Sequence, residues 1–395
     1  MSVFKAVEVF KDIWWVGAVD WAIRDFHGYA THRGTTYNAF LITGGKLTLI
    51  DTVKAPFKEE MLSRIASVAD PKDIDIIVSN HAEMDHSALL PDMVELCRPA
   101  AVYASKMGAR ALAEHFHGDF ATVVKSGDRV DLGGHTLSFF ETRMLHWPDS
   151  MVTYLAGEQV LFSQDAFGMH LAGYERFADQ VPEHLLKQES LKYFANILNP
   201  YAPQVKGLLD KLPSLGVAPK LILPDHGPAW RDGDDRIVQW YRDFATPTPS
   251  RKVVIAFDTM WGSTDKMARA AAEGVSAAGG EPRVMPLKAC HRSDVATELM
   301  GAGGFMVGSP TLNNHLYPTV ADCLTYVKGL RFTGLTAAAF GSYGWGGEAV
   351  KQVGDALTDM GCTVVEPVSV RFAPDQDVLS QCAALGRAVV ERIPG

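Results

Sequence analysis

Within the six residues from His81 to His86, HAEMDH, four side chains can bind a metal ion: His81, Glu83, Asp85 and His86. They follow the apolar run Ile74 to Val78 and precede a helical stretch, so they read as a strand end turning into a helix. Alternate residues at a strand end project to one side, which lets His81 and Glu83 converge on one ion while Asp85 and His86, at the turn, face another. Three more candidates share this loop setting: His146 in MLHWPDS, Asp165 in LFSQDAFG and His226 in ILPDHG. A lone histidine is most often a surface or satisfied core residue, but gathering four imidazoles and three carboxylates at adjacent strand ends is costly by desolvation and repulsion unless a cation offsets it. Carboxylate and imidazole without thiolate suit iron, manganese or zinc, and a carboxylate such as Asp165 can bridge two ions. Asp51, at a strand end, and Asp225, beside His226, are placed either to orient imidazoles or to cap turns.

A second constellation suits an anion and a flat ring. Asp258, Thr259, Met260, Trp261, Gly262, Ser263 and Thr264 link the apolar run Val253 to Phe257 to a helical stretch. Backbone N–H groups at a helix start attract phosphate, and the hydroxyls of Thr259, Ser263 and Thr264 add donors, although the same pattern also suits a plain helix cap. Two further loops follow apolar runs: GSPTLNNHLYP, containing Pro310, Thr311, Leu312, Asn313 and Asn314, and GSYGWGGEA, containing Ser342, Tyr343, Gly344, Trp345, Gly346 and Gly347. In an open α/β sheet, loops at the carboxyl ends of strands border one crevice. Glycines there let backbone approach a ring that Tyr343 and Trp345 can flank. No GxGxxG fingerprint opens this region, which makes a dinucleotide such as NAD(P)H a poorer fit than a mononucleotide.

The elements that must position these residues fall into two sets around FATPTPSRK, a Pro/Thr/Ser-rich linker from Phe244 to Lys252. The expected domains are 1–248 and 249–395. In the first, a hairpin is expected over Tyr37–Thr43 and Leu47–Ile50, then a helix from Pro56 to Ala69, the strand Ile74–Val78, a helix over Ser87–Cys97 and a strand over Ala101–Ala104. β-like segments return from Thr122, before helices over Leu191–Ile197 and Pro203–Leu212. In the second, strands over Val253–Phe257, Glu281–Pro286, Gly304–Val307, Ala337–Phe340 and Thr363–Val368 alternate with helices, the pattern of a doubly wound parallel sheet.

Bulk properties narrow the classes. A chain of 395 residues exceeds what one core usually serves, and 47% apolar with 21% charged residues is ordinary globular composition. A net charge of −9 argues against a nucleic-acid binder held by phosphate neutralisation. Five scattered cysteines, without a CxxC pair, suggest neither a disulfide framework nor a thiolate metal site and fit a reducing cytoplasm. No signal peptide pattern and no membrane-spanning apolar run is read.

The order HxExDH, His146, Asp165, His226 resembles the metallo-β-lactamase superfamily and specifically the flavodiiron proteins, and the three later loops resemble those of flavodoxin domains that bind FMN. The resemblance covers essentially the whole chain. It implies an α/β fold, with an N-terminal metallo-β-lactamase-like αββα sandwich and a C-terminal flavodoxin-like doubly wound parallel sheet. Where the superfamily's zinc hydrolases usually have HxHxDH, this chain has Glu83, a hard anionic ligand that favours iron cycling through the ferric state. By similarity, His81, Glu83 and His146 would hold one iron, Asp85, His86 and His226 the other, and Asp165 both. His27 and Tyr29, in the segment DFHGYATHRGTTYNAF, would lie near the iron pocket and donate protons or hydrogen bonds. The implied activity is reduction of O2 to water with electrons passed through FMN, since a reduced flavin and two reduced irons together hold the four electrons required; reduction of NO to N2O is the alternative at the same site. No CxxC-bearing module follows the second domain, so the implied donor is a separate small protein such as rubredoxin. The implied assembly is a head-to-tail homodimer or a dimer of dimers. A zinc hydrolase fused to a flavodoxin, or a non-catalytic redox module, is the competing reading.

Overall fold

The computed structural model describes residues 3–394; Met1, Ser2 and Gly395, the outermost positions of the expected domain ranges, lie outside the described residues. The chain divides into two compact units. The first runs to Phe26 and includes Thr31–Tyr193 and Tyr201–Ala245, and the second comprises His27–Ala30, Phe194–Pro200 and the residues from Thr246 onward.

The first unit contains β1 (Val7–Phe10), β2 (Ile13–Trp15), β3 (Ala18–Asp20), β4 (Thr35–Tyr37), β5 (Phe40–Ile42), β6 (Thr48–Ile50), α1 (Lys58–Ile65), β7 (Ile76–Ser79), α2 (Met84–Ser87), α3 (Leu90–Cys97), β8 (Ala101–Ser105), α4 (Lys106–Phe116) and β9 (Thr122–Val124). It continues with β10 (Arg129–Asp131), β11 (Thr136–Glu141), β12 (Met151–Leu155), β13 (Val160–Gln164), α5 (Glu183–Tyr193), α6 (Ala202–Lys211), β14 (Leu221–Pro224) and α7 (Arg236–Ala245). Two sheets form, in the orders β1-β2-β5-β6-β7-β8-β9 and β10-β11-β12-β13-β14. Alternation decides which residues face where. Phe40, Ile42, Ile50 and Val78 point into a core shared with Phe139, Met151, Phe162 and Leu223 of the other sheet. Their neighbours Leu41, Leu49 and Ile77 face the opposite way and pack with Met61, Ile65, Met93 and Leu112 of α1, α3 and α4. Strands buried on both faces therefore read as continuous apolar runs. Each fully buried aromatic such as Phe40 or Phe162 contributes roughly 1.5–3 kcal/mol by burial.

Three expected elements differ, one of them the helix expected over Ser87–Cys97, which starts only at Leu90. The strand expected over Tyr37–Thr43 is interrupted: β4 pairs antiparallel with β3, and only β5 pairs with β6. The helix expected over Leu191–Ile197 is the end of the longer α5, followed by a π-helical turn over Phe194–Leu198. That turn belongs to the second unit, where Asn196 Nδ2 donates to Ser293 O at 3.1 Å and Tyr326 Oη donates to Asn196 Oδ1 at 2.8 Å.

The second unit contains β15 (Ser250–Phe257), α8 (Ser263–Ala277), β16 (Glu281–Pro286), α9 (Arg292–Leu299), β17 (Ala302–Gly308), α10 (Pro318–Gly329), β18 (Thr336–Tyr343), α11 (Glu348–Asp359), β19 (Thr363–Arg371) and α12 (Gln376–Glu391). Its sheet is parallel throughout, in the order β16-β15-β17-β18-β19, so the order reverses direction at β15, between β16 and β17. Reversal sends successive crossovers to opposite faces and leaves a crevice at the carboxyl ends of β15 and β17. Where α8 and α12 cross, a Cβ on Gly386 would run into the Ala271 carbonyl, so a glycine is required for the close approach.

Candidate metal centre and flavin cavity

The seven candidate ligands of the first unit gather at the carboxyl ends of β7, β11, β13 and β14. Two groups result. His81, Glu83, His146 and Asp165 have one potential donor atom each within 4.8 Å of one another, and Asp85, His86 and His226 form a second such group. Asp165 joins them. Its Oδ2 lies 3.0 Å from His146 Nε2 and 3.5 Å from His81 Nε2, while its Oδ1 lies 3.1 Å from His86 Nε2 and 3.4 Å from His226 Nε2. Glu83 Oε2 closes the first group at 3.2 Å from His81 Nε2 and 3.1 Å from His146 Nε2. Asp85 Oδ2 closes the second at 3.3 Å from both His86 Nε2 and His226 Nε2. Local backbone aims the bridge: Gln164 and Phe167, flanking Asp165, both take the left-handed conformation, with φ of 49° and 67°.

These contacts test whether metal fits. His226 Nδ1 lies 2.6 Å from the Thr36 carbonyl, which only accepts, so Nδ1 carries the hydrogen. His81 Nδ1 likewise faces Asp149 Oδ2 at 3.0 Å. With the hydrogens committed outward, neutral rings present Nε2 lone pairs to carboxylates, and only an extra proton or a cation removes the repulsion. Both Asp85 oxygens, both His86 ring nitrogens and Asp165 Oδ1 are buried without a hydrogen-bond partner, as atoms reserved for coordination would be. Donors around a common ion at about 2.1 Å are themselves about 3 Å apart, the spacing seen in both groups. Two ions with nitrogen and oxygen donors therefore fit.

Titration behaviour shows the same imbalance. Burial opposes charge on His81, but hydrogen bonds to Asp149 and Glu83 outweigh it and move the imidazole well above its ordinary range. Burial is likewise outweighed at His86, by Asp85 and Asp165. Asp165 is held well below the carboxylate range despite burial, by His86, His146 and His226. Asp51 and Asp225 go the other way. Burial pushes Asp51 up to about 6 against two hydrogen bonds from Asn80, and burial with the neighbouring Asp51 pushes Asp225 well up.

Sequence reasoning placed Asp51 and Asp225 as candidates for orienting imidazoles, and their situations differ. Asp51 holds Asn80, accepting from its backbone N at 2.7 Å and Nδ2 at 2.8 Å, whereas Asp225 Oδ2 lies 3.5 Å from His86 Nδ1. The residue overlooked is Asp149, in the same MLHWPDS segment as His146, which also accepts from Ala82 N at 2.6 Å. His170 was overlooked as well: it is fully buried, its ring centroid 4.7 Å from that of His226, and burial together with His226 keeps it neutral. Access is uneven, because His146 keeps 14% of its side chain exposed while His81 and His86 keep none. His27 and Tyr29 belong to the second unit; in that segment Ala30 N donates to Ser293 Oγ at 3.1 Å and Arg292 Nε to Gly28 O at 3.3 Å.

The second unit holds a cavity of about 590 Å³ at the carboxyl ends of β15, β17 and β18. Met260, Trp261 and Ser263 line it from the first loop, Pro310, Thr311, Leu312, Asn313 and Asn314 from the second, and Ser342, Tyr343, Gly344, Trp345 and Gly346 from the third; Phe372 and Ala373 complete it. Thr259, Gly262, Thr264 and Gly347 are not on its lining and shape the loops instead. Thr259 Oγ1 accepts from Gly262 N at 3.0 Å, and Thr264 Oγ1 lies 3.3 Å from Ser342 Oγ, tying two loops together. Buried Asp258 accepts from Thr259 N and Thr319 Oγ1, both at 2.6 Å. Gly262, at φ 87°, leads into α8, whose first N–H groups suit a phosphate, while Trp261 and Trp345 are 95% and 90% exposed at the rim. A size in the range of cofactor pockets, a helix start for the anion and flanking aromatic rings fit a flavin mononucleotide.

Comparison with known proteins agrees with this geometry. A family model described as ODP family beta lactamase matches residues 35–227, and one described as flavodoxin matches 255–386. The chain is 45% identical to rubredoxin-oxygen oxidoreductase of Megalodesulfovibrio gigas, covering 98% of each, and 43% identical to nitric oxide reductase of Moorella thermoacetica, covering 98% of this chain and 99% of that one. Among solved structures, rubredoxin oxygen:oxidoreductase from the anaerobe Desulfovibrio gigas superposes with a TM-score of 0.96 at 45% identity over 98% of both chains. The flavodiiron protein from Giardia intestinalis superposes with 0.94 at 32% identity over 100% of this chain and 98% of that one.

Proposed function

This chain belongs to the flavodiiron proteins, and on that premise we propose that it is an oxidoreductase that reduces O2 to water with electrons from rubredoxin or a similar small donor protein, using FMN and two non-haem irons. The observation that carries the reading is the pair of imidazole–carboxylate groups joined through Asp165. When bound, the irons supply redox and Lewis-acid chemistry and FMN supplies electron storage. The residues' own parts are proposed from the resemblance, and their grouping supports them. His81, Glu83 and His146 would hold one ion, Asp85, His86 and His226 the other, and Asp165 both. Glu83 and Asp85 add negative charge that suits the higher oxidation state. His146 and Glu83, with 14% and 10% of their side chains exposed, are the ligands a small gas molecule would reach first. Tyr193, kept protonated by burial and the nearby Asp165, stands with neutral His170 beside the second group. Ser263 and the start of α8 would take the flavin phosphate, with Tyr343, Trp261 and Trp345 at the ring.

Several finer points belong to the same proposal. A head-to-tail homodimer is supported by the short linker and by the exposed tryptophans at the cavity rim, which a second copy would cover. His27 and Tyr29 as donors of protons or hydrogen bonds rest on the resemblance of their segment. A boundary between domains near residue 248 is supported by the Pro-rich linker, and a cytoplasmic location by five free cysteines; no helix among the described residues is long and apolar enough to cross a membrane.

NO is the second reading, because the same donor set serves it and the Moorella relative is named for it. Purified protein loaded with iron and FMN is given reduced rubredoxin and, in parallel anaerobic samples, O2 or NO at matched concentrations. Faster O2 loss without peroxide is expected. Faster NO loss makes NO the substrate, and loss of neither, with esterase activity on a zinc-loaded sample, overturns the reading in favour of a hydrolase.

A further inference from the structure

β4 and the residue after it grip the loop that carries His226. Thr36 acts twice: its carbonyl accepts from His226 Nδ1 at 2.6 Å and its Oγ1 accepts from Gly227 N at 2.7 Å. Asn38 spans the loop, with Nδ2 donating to Pro224 O at 2.7 Å and Gly227 O at 2.9 Å, and its backbone N donating to Asp225 O at 2.7 Å. Asn38 is itself locked, because its Oδ1 accepts from Trp15 Nε1 at 2.8 Å. Thr35 Oγ1 sits 2.9 Å from His170 Nδ1 and 3.2 Å from His226 Nδ1. All three side chains are buried, at 0–3% exposure.

This arrangement fixes more than position. A neutral imidazole has one hydrogen and one lone pair, and the nitrogen that bonds a carbonyl must carry the hydrogen. Thr36 O thus forces the lone pair onto His226 Nε2, the atom 3.3 Å from Asp85 Oδ2 and 3.4 Å from Asp165 Oδ1. The opposite tautomer would aim a hydrogen at the same place. The Thr36 carbonyl sets the tautomer, and we propose that the side chains of Thr35, Thr36 and Asn38 are positioning groups for the second metal ion, clamping the His226 loop and ring so that Nε2 stays aimed at the site. The inference rests on the two-ion reading above. It also explains the interrupted strand: at Asn38 the backbone leaves sheet pairing to hold the loop of β14 instead.

Thr35→Val, Thr36→Val and Asn38→Ala, with Thr35→Ser as the conservative control, are loaded with iron and FMN and mixed with a ferrous chelator after reduction. One of the two irons is expected to leave roughly 10- to 100-fold faster than in the parent protein, with FMN absorbance unchanged and Mössbauer spectra losing the coupled pair, while Thr35→Ser behaves as the parent. Parent-like release from all three variants overturns the inference. So does equal acceleration of both ions accompanied by earlier unfolding of the metal-free protein, which marks a purely structural role. If the parent binds fewer than two irons, the two-ion reading itself fails, and the experiment reports that separately.

Discussion

The two cofactor sites of this chain are built in opposite ways. The metal centre is made of side chains, charged and almost wholly buried, whose orientations are set by an outer layer of buried hydrogen bonds. The candidate flavin cavity is lined mainly by three loops, with two nearly fully exposed tryptophans at its rim. A bare ion needs donors held to within tenths of an ångström, so the protein accepts the cost of burying charge. A flavin brings its own shape and charge, so open loops at the strand ends suffice. Damage should accordingly be severe and local at the first site and graded at the second.

The sharpest break is Asp165→Asn. Both groups share this carboxylate, so bound iron should drop for both ions and turnover should fall by more than the roughly 100-fold that loss of an outer partner causes. Flavin absorbance should be untouched, as metal analysis and a visible spectrum on one sample will check. Asp149→Asn comes next. It removes the negative partner of His81 Nδ1 while keeping the side chain's size, and should weaken iron binding by roughly 10- to 100-fold in a chelator competition. Loss of rim contact at the second site is milder. Trp345→Ala should weaken FMN binding by about 2- to 10-fold in a fluorescence titration and leave iron content alone, since one aromatic contact contributes about 0.5–1.5 kcal/mol. Smallest for the chemistry is Gly386→Ala, which overpacks the α8–α12 crossing by about 1–3 kcal/mol and should lower the unfolding temperature while both cofactors still bind. Equal losses of iron and flavin in any of the first three variants would erase the contrast.

The second unit was the more legible fold. Its parallel strands lie between helices and read as apolar runs separated by amphipathic stretches, and all five fall where the alternation placed them. The first unit was harder because its strands are short and its pairings distant. Tyr37–Thr43 has the composition of one strand, yet Asn38 breaks it, drawn away by Pro224 and Gly227 far along the chain. The helix expected over Ser87–Cys97 is two pieces, Met84–Ser87 and Leu90–Cys97, because the first turn serves to present Asp85 and His86. At the sites, residues with chemical side chains in compact motifs were visible, whereas Asp149 and His170 were not, since nothing nearby in sequence says that an acid or an imidazole will back a ligand.

By itself the sequence determined the kinds of side chain and their order: HxExDH, His146, Asp165 and His226, a donor set suited to hard ions, and three glycine-bearing loops of a kind suited to a flavin. Those follow from side-chain chemistry and local spacing, which the chain carries wherever it folds. Only the tertiary structure decided that Asp165 turns one oxygen to each metal group, that Asp149 holds His81 from 68 residues away, and that Thr36 sets the hydrogen of His226 across 190 residues. These are properties of atoms brought together by the packing of two sheets, and a hydrogen's place on an imidazole depends on the partner that packing delivers.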